Sequence, residues 1–205
     1  MKKKQIYNLK STEDTNQATI ILGDPSGIIN FTNTNHKWAN SIYDIMLSFT
    51  WFPQEANMSL DKKPYLTLTE PEKRTYDLVL AQLISNDSIQ TNQLMDSINQ
   101  YITSPVVNSC LARQAFEESL HSKSYAVMVE DISEDTERIY NMHKHDNALA
   151  EKNQAVADMY DKVNTSFIST DDMLKAFAAN NILEGLVFMG GFVSIWSLGN
   201  KMTSS

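Results

Sequence analysis

The sequence predicts an all-α protein, and three observations carry that prediction. Glycine and proline are scarce, six and five in 205 residues, while long stretches are rich in Leu, Met, Ala, Gln and Glu, which favour helix. No run alternates polar and apolar residues for long enough to found a sheet. Apolar residues recur instead at three- and four-residue intervals, the period of a helix with one buried face.

Residues 1–35 read as an irregular N-terminal arm with a turn at "GDPSG" (23–27). That turn is no phosphate loop, because it lacks the Gly-Lys-Ser/Thr ending that holds phosphate and magnesium. Residues 36–205 read as the helical domain. Its first helix covers about 36–50, with Trp38, Ile42, Ile45 or Met46, and Phe49 on one face. The stretch "WFPQEANMSLDKKPYLTLTEPE" is an extended connection broken by Pro53 and Pro64. Thr69 then caps a second helix, with Pro71 in its first turn and Glu72 at the capping-box position. That helix runs from about 70 to 86 or beyond, on an inward stripe of Tyr76, Leu80, Leu83 and Asp87.

A third helix over about 106–131 carries Leu111, Ala115, Glu118, His121, Tyr125 and Met128 or Val129 on its stripe. Residues 134–165 are polar and helical, broken near "HKHDN" (143–147), where His143 and His145 read as a solvated turn. "STDD" (169–172) starts the last helix, whose stripe reads Phe177, Asn181, Glu184, Phe188, Phe192 and Ile195.

Composition excludes several functions. With 42% hydrophobic and 20% charged residues the chain is globular, not disordered. A net charge of −8 leaves no basic patch for nucleic acid; the run Lys2, Lys3, Lys4 reads as a solvated terminus. One cysteine, Cys110, fits a reducing compartment, hence a cytoplasmic protein. The uncharged segment "GLVFMGGFVSIWSLGN" (185–200) has 16 residues against the roughly 20 that span a bilayer. The expectation there is a buried helix and no membrane.

Three apolar stripes thus each hold one carboxylate: Asp87, Glu118 and Glu184. An ionised carboxylate buried without a partner costs several kcal/mol, and no Lys or Arg shares these stripes. A metal is the economical counter-charge. Oxygen donors with one imidazole, His121, suit iron or manganese better than structural zinc. Glu-x-x-His at i, i+3 reaches one ion from adjacent turns, as in carboxylate-bridged dimetal bundles. On residues alone, Tyr125 also fits a core position with its hydroxyl bonded to a neighbour. A metal-free helical module, whose stripe carboxylates meet a partner's basic groups, stays open as well.

"WFPQEANMSLD", "LTEPEKRTYDLVLAQLISNDSIQ", "RQAFEESLHSKSY" and "NILEGLVFMGGF" occur in the order of, and resemble, blocks of the small (beta) subunit of class I ribonucleotide reductase. The resemblance implies a ferritin-like helical bundle with a dinuclear iron centre, or manganese in its place, that oxidises a tyrosine to a stable radical. It implies a homodimer partnered by the large (alpha) subunit, which uses the radical to reduce ribonucleotides. Asp87, Glu118 and His121 resemble ligands of the first metal, with Glu118 bridging, and Glu184 a ligand of the second. Tyr125 stands at the radical position and Trp51 at the tryptophan of the electron route. Phe188 and Phe192 match apolar residues that shield the radical.

One departure qualifies the resemblance. The chain holds a single Glu-x-x-His and reaches "GNKMTSS" without the second one that the family carries on a following helix. The expectation is the N-terminal part of a beta subunit, from a split gene, an interrupted reading frame or a truncated sequence, inactive until a complementing C-terminal piece joins it.

Overall fold

The computed structural model describes residues 1–55 and 58–202. Residues 56–57 of the connection, and the last three residues of the 36–205 region, lie outside the described residues. The fold is all-α and ferritin-like. Among the described residues only isolated bridges stand in for strands: Lys2 with Phe167, Glu13 with Pro25, and Ile21 with Ile102.

Helix α1 is Lys37–Ser48, α2 Lys62–Thr67, α3 Glu70–Asp96 and α4 Pro105–Ile132. Then come α5 Thr136–Tyr140, α6 Met142–His145, α7 Asn147–Asp161 and α8 Thr170–Ile182. A π-helical turn, Leu183–Val187, joins α8 to α9, Phe188–Met202. Contacts group these into two units. The first takes Met1–Trp51, Gln90–Glu117 and Asp158–Phe177; the second takes Phe52–Ile89, Glu118–Ala157 and Ala178–Ser205.

In the first unit the arm is pinned by its backbone. The Lys4 amide donates to the Gln100 carbonyl at 2.8 Å and the Asn8 amide to Ser26 at 3.0 Å. The Lys4 ammonium donates to the Oδ1 atoms of Asn99 and Asn108. The lysine run is therefore not a freely solvated end, because Lys4 is drawn against uncharged acceptors. Burial lowers its pKa from 10.5 to about 8. Between those values the unfolded chain holds a proton that the folded chain has lost. Stability should therefore rise as pH goes from about 8 to about 10.5, a slope absent from Lys4→Met in thermal unfolding across that range.

In the same unit Arg113 ties the end of α1 to α4. Its guanidinium donates to the Met46 carbonyl at 3.3 Å, to Thr50 Oγ1 at 2.6 Å and to Glu117. The apolar stripe of α1 faces outward, with Trp38, Ile42, Ile45 and Phe49 all exposed.

The second unit is built on α3. Its start is the expected capping box: Glu72 Oε2 accepts from the Thr69 amide at 2.9 Å and from the Thr69 hydroxyl at 2.7 Å. Tyr76, Leu80, Leu83 and Asp87 are all buried on one stripe. Each fully buried Leu contributes about 1.5–3 kcal/mol. Asp77, also buried, is neutralised by Arg138 at 2.8 Å and accepts from the Tyr65 hydroxyl at 3.0 Å.

The connection before α3 is less extended than its prolines suggest. Residues Pro53–Glu55 and Met58–Leu60 form 3₁₀ turns. Pro64 lies in the first turn of α2, where a missing N–H costs nothing. Ser169 caps α8 by accepting from the Asp172 amide at 3.0 Å.

The segment 185–200 corrects a second expectation. It is helical but not buried: in the most apolar window of Thr170–Gly199, mean hydropathy 1.6, only 17% is buried. One side packs inward and the other, with Leu186, Met189, Val193 and Trp196, is exposed. An all-round apolar sequence cannot say which of its faces is covered.

Candidate metal centre

Asp87, Glu118, His121, Tyr125 and Glu184 all belong to the second unit. Asp87 projects from α3, and Glu118 and His121 from successive turns of α4. Asp87 is fully buried, Glu118 nearly so, and the His121 side chain is 36% exposed. His121 Nδ1 lies 3.3 Å from Glu118 Oε2 and 3.8 Å from Asp87 Oδ2. One ligand atom from each of the three fits within 4.8 Å of the others, the spacing of donors around a common ion.

The two buried aspartates of α3 make an internal comparison. Asp77 has an arginine and a phenol; both carboxylate oxygens of Asp87 lack any hydrogen-bond partner. Burial, then the negative charges of Glu118 and Glu184, push the Asp87 carboxyl up from 3.8 to about 8, against the opposing pull of His121. A carboxylate so placed lacks a cation. The donor set of two carboxylates and an imidazole fits a hard-to-borderline divalent metal.

Glu184 reaches toward the same place from the π-helical turn, a wide turn often found at functional sites. It is outside the group of three, yet its charge contributes to raising both Asp87 and Tyr125. The turn steps from buried Leu183 to buried Phe188 in five residues. Gln82 of α3 donates to the Val187 carbonyl at 3.5 Å, and Gly191 lets α9 close on Val79 and Leu83. These two supports escaped the sequence reading; the only signal was a Gly-Gly pair inside an apolar helix.

Tyr125, one turn beyond His121, is buried, and burial plus the charges of Asp87, Glu118 and Glu184 drive its phenol far above the ordinary range. Phe188 is buried, whereas Phe192 is 45% exposed, their rings 6.5 Å apart. Trp51 is half-buried in the first unit, next to Thr50 at the end of α1. His143 donates through Nδ1 to the Tyr140 carbonyl at 2.7 Å.

Residues 28–204 match the family model described as "Ribonucleotide reductase, small chain". The chain belongs to that family. Among the relatives of this small chain is the ribonucleoside-diphosphate reductase subunit beta of Treponema pallidum (strain Nichols). It is 34% identical over all of this chain, which spans 59% of that protein. The ribonucleotide reductase R2 subunit from Clostridium botulinum superposes with a TM-score of 0.92 at 31% identity, covering 99% of this chain and 64% of that one. The Streptococcus sanguinis dimanganese(II)-NrdF, at 20% identity and a TM-score of 0.71, covers 82% of this small chain and shares its fold. The chain thus spans about three fifths of the length of the T. pallidum and C. botulinum relatives.

Proposed function

We propose that this chain is the metal- and radical-bearing part of a class I ribonucleoside-diphosphate reductase small (beta) subunit. On this reading it is a cytoplasmic protein that works as a homodimer with the large (alpha) subunit, which reduces ribonucleotides to deoxyribonucleotides. The observation that carries the reading is the orphaned Asp87 carboxylate within reach of Glu118 and His121. Relatives named as subunit beta of this reductase support it.

Asp87, Glu118 and His121, with Glu184, would hold the dinuclear metal centre. When bound, a dinuclear iron centre, or manganese in its place, supplies the oxidising power. Everything else falls to side chains. Burial, then the charges of Asp87, Glu118 and Glu184, hold the Tyr125 phenol in its protonated form, so Tyr125 would stand beside the centre as a neutral phenol. Phe188, buried beside the π-helical turn, keeps water from that face. Trp51 would carry the electron between this site and the alpha subunit. Four ligands leave a dinuclear site open to solvent, so the 205-residue chain alone is expected to bind metal weakly and to sustain no radical.

Calorimetric titration with Fe(II) or Mn(II) tests the reading. Glu118→Gln should weaken uptake by at least about tenfold, while Tyr125→Phe stays within about twofold of the parent. After iron and oxygen are added, electron paramagnetic resonance should show no persistent tyrosyl signal from the chain by itself. A chain that takes up neither cation sinks the proposal. Lost uptake in Tyr125→Phe would make that tyrosine structural.

A further inference from the structure

The run Lys2, Lys3, Lys4, the dense basic stretch of a chain with a net charge of −8, has no part in the metal centre. In the first unit these three lysines line a cavity of about 300 Å³ together with Gly23 and Thr103. Lys4, Gly23 and Thr103 also line a second cavity, of about 230 Å³, which Pro105 and Asn108 of α4 complete. Lys4 thus belongs to the walls of both.

The head group of Lys4 is fixed in place. Its nitrogen donates to Asn99 Oδ1 and to Asn108 Oδ1, two uncharged acceptors. Among the described residues that line the two cavities, Lys2, Lys3 and Asp24 are the charged groups besides Lys4. Burial favours the neutral amine, and it is burial that brings the pKa of Lys4 to about 8. In that amine the two N–H bonds serve the two asparagines, and the lone pair occupies the remaining tetrahedral position. Lys4 is only half-buried, so a small molecule can reach it.

A neutral amine in a partly open cavity is a nucleophile, and its surroundings select the electrophile. Lys2 and Lys3 put positive charge on the same wall, which favours an anion. A phosphate ester of an alcohol satisfies the charge but offers the amine no activated carbon. A large thioester offers the carbon but is too bulky for about 300 Å³. An acyl phosphate meets both needs, with a phosphate for the two lysines and a carbonyl carbon one oxygen away.

We propose that Lys4 is a site of covalent acylation by small acyl phosphates, with Lys2 and Lys3 holding the phosphate beside it. The lone pair of Lys4 Nζ forms a bond to the acyl carbon. The bond from that carbon to the phosphate oxygen breaks, and inorganic phosphate leaves with its electron pair. The surplus proton on nitrogen passes to the departing phosphate, and nothing is oxidised or reduced. The amide product has lost its charge and has one N–H for two asparagines, so one side-chain tie between the arm and the rest of the first unit is broken. The proposal does not rest on the small-subunit reading, because the residues of the metal centre lie in the second unit.

The test incubates the full 205-residue chain with acetyl phosphate at pH 7.5 and reads acetylation lysine by lysine in peptide mass spectra. At that pH roughly a quarter of Lys4 is free base, against about 0.1% of a lysine titrating at 10.5. Lys4 should therefore react at least about tenfold faster than any other lysine, at a rate that rises with pH and levels off above about 9. Excess inorganic phosphate should protect Lys4 and spare the others. Lys2→Gln with Lys3→Gln should slow acetylation of Lys4 by acetyl phosphate about tenfold, yet leave its reaction with uncharged p-nitrophenyl acetate within about twofold of the parent. The second reagent shows that the variant is folded and its Lys4 still nucleophilic. The proposal is overturned if acetyl phosphate modifies Lys4 no faster than the other lysines. It is equally overturned if the double variant reacts with acetyl phosphate as fast as the parent does.

Discussion

Asp87→Asn should stabilise the metal-free chain while removing its affinity for divalent cations. In the unfolded chain the Asp87 carboxyl titrates near 3.8; in the fold it is held at about 8. Between those values the folded state retains a proton that the unfolded state has released. The contribution of Asp87 to stability therefore falls as pH rises through that window and is flat above it. Asparagine removes the titration and keeps the shape. The variant should match the parent near pH 4 and exceed it by on the order of 3 kcal/mol at pH 8, about 8 °C in melting temperature. Saturating Fe(II) or Mn(II) should reverse the order, raising the parent's melting temperature and leaving the variant's unchanged. Differential scanning calorimetry across pH 4–9, with and without metal, reads both arms. Equal pH profiles would mean that Asp87 is neutralised by something other than a bound proton or a metal.

The same pair of aspartates explains how much of the centre was legible in the sequence. Periodicity alone put Tyr76, Leu80, Leu83 and Asp87 on one stripe, and all four are buried. It could not distinguish Asp87 from Asp77, because the partners of Asp77 come from Tyr65 and from Arg138, 61 residues away. Glu118 and His121 were legible because i, i+3 places two side chains on adjacent turns of one helix whatever lies opposite. The capping signals at Thr69–Glu72 and Ser169–Asp172 were legible for the same reason, being local. The π-helical turn was not. The expected stripe of Phe177, Asn181, Glu184, Phe188 and Phe192 is already off before that turn, since Asn181 is exposed and the buried residues of α8 and the turn are Met173, Ala176, Ala179 and Leu183. The five-residue step from Leu183 to Phe188 then puts Phe188 and Gly191, not Phe192, inward. An apolar run contains no record of such an insertion. Nor does it record which side lacks a neighbour, and so the exposed faces of α1 and α9 emerged only with the coordinates.

Gly191→Val should be the most damaging single change on α9, and its neighbour Gly190→Ala should be beneficial. A Cβ at Gly191 would stand 3.3 Å from Leu83 Cδ2 and 3.4 Å from Val79 Cγ1. Valine then forces two further carbons into a contact that is already tight, and overpacking of this kind costs about 1–3 kcal/mol. Relief comes by moving α9 away from α3, which also breaks the 3.5 Å hydrogen bond from Gln82 to the Val187 carbonyl. Both contacts fix the π-helical turn that aims Glu184, so metal affinity should fall by about tenfold together with stability. At Gly190 a Cβ meets nothing, and alanine should add about 0.5–1 kcal/mol through helix propensity alone, with metal uptake unchanged. The two variants differ by one position, about 100° around one helix, and probe a packed and an open side of it. Paired melting curves and metal titrations therefore report separately on the face packed against α3 and on the exposed face. Should Gly191→Val melt and bind metal like the parent, α9 does not set the position of Glu184, and the role given to the π-helical turn fails with it.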